Sequence, residues 1–173
     1  MFFTKPALLA VLAAAILPVY AQQGPTDPQI AAIVVTANQV DIDAGKLAAS
    51  HTKSKEVRQF AQQMVTDHSG VNKQATALVT KLKVKPEPND TSRSLQKGGD
   101  ENLAKLKKLK GAGFDKAYVD HEVEYHQAVL DAIDKTLVPS ARNAELKDLL
   151  VKVRPAFVAH LDHARHLQSA LGK

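Results

Sequence analysis

Five ionisable residues stand where helical periodicity calls for apolar ones: Asp41, His68, Glu122, His126 and His160. Imidazole and carboxylate groups are the ligand types that suit zinc, copper, iron or nickel. Burying such a group is costly unless it is paired or ligates something. Several helices each accepting that cost imply one shared polar layer. Two readings of the layer stay open. In one, the five residues hold a transition metal ion. In the other, the carboxylates accept hydrogen bonds from the histidines and no metal is involved.

Other candidates carry less. His160, His163 and His166 recur every third residue, which puts neighbours within chelating reach on a helix. Asp162 and Arg165 lie between the last two histidines, so that pair reads as solvated. His51 reads as a turn residue. His121, beside Glu122, fits either the edge of the layer or the surface. Tyr118 and Tyr125 read as core packing. The di-iron carboxylate pattern requires Glu three residues before His on two helices. Here Val65, Val123 and Phe157 occupy those places, so an oxygen-activating enzyme is not expected and no residue is assigned a catalytic role.

Four long helices must position the layer. The first opens at Asp27-Pro28, a cap residue followed by proline at the first helical position, and carries Ile30, Val34, Ala37, Asp41, Ala44 and Ala48. The second, from about Ser54 to Lys83, alternates threes and fours through Val57, Ala61, Met64, His68, Val71, Ala75, Leu78 and Leu82. The third, capped by Asp115, carries Val119, Glu122, His126, Leu130, Ile133 and Leu137. The fourth carries Leu146, Leu150, Val153, Phe157, His160, Ala164, Leu167 and Leu171, with Pro155 expected to kink or split it. Between the second and third, Pro86, Pro88, Asn89, Asp90 and Gly98-Gly99 read as loop. A short helix is expected over Glu101 to Leu109, ending at Gly111-Ala-Gly113. No strand-like alternation competes, so the fold class is all-α.

The connection between the second and third helices spans about thirty residues, enough to cross the length of a bundle and make those two helices parallel. Measured from the end holding Pro28, Lys83, Leu137 and Ala141, the five polar residues then fall within roughly 12 Å along the axis, at 1.5 Å per residue. The predicted topology is a four-helix bundle of ferritin-like type with a long crossover.

The composition sets the setting. Lys5 precedes an apolar run from Ala7 to Val19, and Val19-Tyr20-Ala21 matches a signal-peptidase site, giving a signal peptide over 1–21 and Gln22 as the mature start. The run is too short to span a bilayer, which needs about twenty residues. Residues 22–173 form one domain with a net charge of +4 and no integral membrane span is expected in it. There is no cysteine, which excludes thiolate and disulfide chemistry. The basic run Lys105–Lys110 has leucines every third residue, so it reads as a solvated helix face; no nucleic-acid partner is expected. Monomer and homo-oligomer both remain open.

Three strings point to a family. Asp41-x-x-x-Gly45-x-Leu47-Ala48 is followed by Val57-x-x-Phe60-Ala61-x-x-Met64-x-x-Asp67-His68. Phe114-Asp115-x-x-Tyr118, His126 and Pro155-x-Phe157-x-x-His160 complete the order. Over Gln29 to Leu171 the chain resembles the "domain of unknown function 4142" family. The resemblance implies a ferritin-like four-helix fold in exported bacterial proteins, often described as outer-membrane or membrane proteins, and no established activity. The family commonly has Glu where this chain has Asp41, a side chain one methylene shorter.

The function expected from these readings is a non-catalytic periplasmic or envelope protein of a Gram-negative bacterium. Its His/carboxylate layer, Asp41, His68, Glu122, His126 and His160, binds zinc, copper or iron. The alternative is a metal-free structural or stress-related envelope protein.

Overall fold

The structure, a computed structural model, describes residues 24–172; the expected signal peptide and its cleavage site lie outside them. The described chain is all-α. Helix α1 spans Asp27–His51, α2 Lys55–Lys81, α3 Asp90–Leu106, α4 Gly111–Ala132 and α5 Ala144–Leu171; a π turn, Ile133–Leu137, and a last turn, Val138–Ser140, extend α4. The helix starts follow local chemistry. The Ser54, Asn89 and Asn143 side chains each accept from the backbone N–H three residues on, satisfying donors that a helix N-terminus leaves open.

Two apolar clusters fix the direction of every long helix. The first gathers Ala44, Val57, Met64, Phe114, Tyr118, Ala164 and Leu167. The second, at the other end, gathers Ile30, Ile33, Ala75, Ile133, Leu146 and Leu150. Helices α2 and α4 therefore both run from the first cluster to the second, parallel to each other. α1 and α5 run the opposite way. Crossover helix α3 returns along the outside of α1, from Leu95 near the second cluster to Leu106 in the first.

Four local expectations are corrected. The crossover helix begins at Asp90 and includes Gly98-Gly99, which were expected in a loop. A Cβ at Gly99 would lie 2.7 and 2.8 Å from the two γ-methyls of Val40, so this glycine lets α3 lie directly on α1. Helix α4 opens at Gly111, whose positive φ of 54° makes the entry turn, and Asp115, expected as the cap, is buried inside it. Thr26 caps α1, with the Gln29 side chain accepting from its N–H. Asp27 instead accepts from the backbone N–H groups of Arg142 and Asn143 and ties the two chain segments at that end. Finally, α5 runs through Pro155 as one helix.

Candidate metal centre

Each long helix places its polar residue between the two apolar ends. Along the chain, Asp41 lies between Val34 and Ala44, His68 between Met64 and Val71, Glu122 and His126 between Val119 and Leu130, and His160 between Phe157 and Ala164. The flanking residues are buried, and so are all five polar ones, none more than 2 % exposed. The structure brings all five together. The rings of His68, His126 and His160 form a triangle with centroid separations of 5.5, 5.4 and 5.3 Å. Potential ligand atoms of these three lie within 4.8 Å of one another, and the same holds for Asp41, Glu122 and His126. These two buried triads share His126 and could hold a metal ion.

The hydrogen bonds decide which nitrogen of each ring is free. His68 Nδ1 donates to Asn38 Oδ1 at 2.8 Å, and Asn38 is held in turn by its Nδ2 donating to the Val34 carbonyl at 2.7 Å. His126 Nδ1 donates to the carbonyl oxygen of Glu122 at 3.0 Å. His160 Nε2 donates to Asp67 Oδ2 at 2.9 Å. Each partner only accepts, so in the neutral form that a metal ligand requires, the proton of each imidazole is fixed on that nitrogen. The lone pairs then sit on His68 Nε2, His126 Nε2 and His160 Nδ1. These three atoms are buried and have no hydrogen-bond partner among the described residues. Metal-ligating histidines are oriented in this way, one nitrogen held by a carboxylate, amide or carbonyl and the other left for the ion.

Asp41 stands beside the free nitrogens, its Oδ2 at 2.6 Å from His68 Nε2 and 3.6 Å from His126 Nε2. The closer contact meets the distance of an ion pair but not the geometry of a hydrogen bond, and both Asp41 oxygens lack a hydrogen-bond donor. The shorter side chain, in place of the family's common Glu, still reaches two of the three imidazoles. A tetrahedral ion bonded at about 2.0–2.1 Å spaces its ligand atoms about 3.3 Å apart, so the side chains of either triad, now within 4.8 Å of one another, would draw closer to surround one.

The charges favour a cation. Burial pushes the Asp41 carboxyl up, but His68 beside it, with His126, outweighs burial and holds it down at about 2. It is an anion at neutral pH. Burial lowers His126 to about 4 and also lowers His160, so both are neutral. Burial and then the Asp41 charge raise Glu122 well above the usual carboxyl range, so it keeps its proton and can offer it to Asp41.

The layer also has a way in. A groove between α2 and α5 is lined by Asp67, His68, Lys152, Phe157 and His160. Asp67, about 40 % exposed, sits at the boundary between His160 and solvent.

Asn38 and Asp67 were not singled out as site residues in the sequence. Asp67 carried a signal, its place beside His68 in the Asp-His string. Asn38 carried only its spacing, four after Val34 and three before Asp41. The weaker candidates fall elsewhere. His163 and His166 are exposed, with the His163 ring against Phe60. His51, the last residue of α1, stacks on Phe114. His121 is half-buried and stacks on Tyr125, on the side of α4 that faces the crossover helix.

Fold and site define an all-helical protein with a buried histidine–carboxylate layer. The chain belongs to the family described as "Domain of unknown function (DUF4142)", whose model matches residues 17–167. No curated protein and no solved structure matches the chain.

Proposed function

We propose that this protein is a non-catalytic, exported helical bundle that binds one transition metal ion through His68, His126, His160 and Asp41. Glu122 is a further carboxylate at the edge of the site. The observation that supports this reading is the orientation of the imidazoles. Three neighbouring rings each commit one nitrogen to an acceptor and leave the other unpartnered, and two of those free nitrogens stand beside the Asp41 carboxylate. Three nitrogens and one oxygen suit zinc or copper, with iron as a further candidate. A carrier or reservoir role fits better than catalysis, because the residues three before His68, His126 and His160 supply no carboxylate. Export rests on residues 1–21, and intact mass of the periplasmic fraction should show a chain starting at Gln22.

The test is metal titration of tag-free, EDTA-stripped protein by calorimetry, with bound metal measured after dialysis. One tightly held zinc or copper ion per chain is expected. The 2.6 Å approach of His68 to Asp41 favours a second reading, a metal-free polar layer in a structural envelope protein. No retained metal after dialysis would select that reading and end the first.

A further inference from the structure

Beneath the histidine triangle, toward the π turn, the bundle is not filled. A cavity of about 140 Å³ lies among α1, α2, α4 and α5, walled by Ile33, Ala37, Val71, Ala132, Leu150 and Phe157. Its mouth is at Thr91 and Leu95 of the crossover helix. Three polar side chains line it; Thr91 is exposed at the mouth, and the two deeper ones are already engaged. Asn38 bonds the Val34 carbonyl and His68, and the Tyr125 hydroxyl donates to the Ala37 carbonyl at 2.8 Å. A buried water needs two to four polar partners, which this wall does not offer. An apolar cavity of roughly 150 Å³ stays dry and takes up one benzene-sized molecule.

The origin of the space is in the sequence. Small residues, Ala37 and Ala132, occupy wall positions where larger ones would meet. The π turn Ile133–Leu137 follows directly on Ala132, and Ile133 and Leu137 line the cavity with it. At the mouth, α3 packs chiefly on α1 and touches α4 little, leaving a cleft beside Thr91, Leu95 and Tyr125 through which a ligand can pass.

We infer that this cavity is a binding site for a compact apolar molecule, a single aromatic ring or a hydrocarbon of similar size. The site is separate from the metal centre: Phe157 stands between them, its ring 5.0 Å from that of His68. The inference does not rest on metal binding, and its test is made in EDTA so that the two fail independently.

Benzene is the probe, added to the full chain in EDTA and followed by thermal melting and calorimetry. A saturable rise in melting temperature with one benzene per chain is expected. Ala132→Leu, which fills the wall from α4, should weaken benzene binding by more than tenfold. His166→Ala, on the exposed face of α5 and outside the cavity, should leave it within twofold. If Ala132→Leu does not fold, the ¹²⁹Xe chemical shift of the wild-type protein gives a variant-free reading, and a saturable shift is expected. No saturable response to benzene or xenon would overturn the inference. So would benzene binding that Ala132→Leu leaves unchanged, which is partition onto the surface.

Discussion

Helix α5 carries the same residue type on two faces at the same spacing, with opposite outcomes. His160 points inward, where burial lowers its basicity and Asp67 holds its Nε2. His163 and His166, one and two steps of three further on, are exposed. Three residues turn a helix about 300°, so a run of every-third histidines leaves the buried face. The difference shows that histidine spacing along one helix creates a chelate only by chance. The site-forming neighbours of His160 come from α2 and α4, far away in sequence.

The largest effect expected from this comparison is on metal-dependent stability. A ligand that binds only the folded state at about 100 times its Kd adds roughly 2.7 kcal/mol. For a domain of this size that raises Tm by ~5–10 °C. The rise with zinc or copper should be lost in His68→Leu and His160→Leu and persist in His163→Ala and His166→Ala. Melts in EDTA and then in each metal make the measurement. Loss only in the two surface variants would move binding to the outer face.

A second prediction concerns pH. His126 titrates near 4 in the fold and near 6.5 in the unfolded chain, so the unfolded chain takes up the proton first as pH falls. Its contribution, about 3 kcal/mol, is complete above pH 6.5 and disappears as pH falls to 4. Glu122 has the opposite sign. Its raised value stabilises the protonated fold, and that contribution is lost as pH rises above 4.5. The two slopes oppose each other in the wild type. In Glu122→Gln the slopes of the buried histidines, His126 foremost, are no longer opposed, so urea melts of metal-free protein should lose at least about 3 kcal/mol between pH 6.5 and 4, while the wild type changes less. Equal slopes in both proteins would refute the assignment.

Asp67 tests the inner face from its outer edge. Removing the carboxylate that orients a ligating histidine typically costs 10–100-fold in metal affinity. Asp67→Ala should do so by calorimetry. Because Asp67 is partly exposed, metal-free stability should fall by less than about 1 kcal/mol. A normal affinity would mean that His160 does not ligate.

The smallest effects separate two adjacent glycines of α3, and with them the packing of the crossover. Gly98 has open space around its Cβ position, so Gly98→Ala should stabilise by about 0.5–1 kcal/mol through helix propensity. Gly99→Ala meets both γ-methyls of the β-branched, stiff Val40 and should destabilise by about 1–2 kcal/mol net. Denaturant midpoints of the two variants should move in opposite directions.

Periodicity in the sequence established the four long helices, the face each buries and the five polar interruptions. The length of the connection between the second and third helices further required those two to run parallel, and the structure has them so. These features were legible because an apolar stripe and a chain length are local properties. The Gly98-Gly99 pair was misread for the same reason. Local rules see two helix-weakening residues, whereas Val40, 59 positions earlier, makes one of them a contact. Only the tertiary structure decided which nitrogen of each histidine is free. That depends on acceptors supplied by other helices or turns, Asn38 to His68 and Asp67 to His160, and on a protonation balance among buried groups. Such quantities exist only when residues distant in the chain share one low-dielectric space.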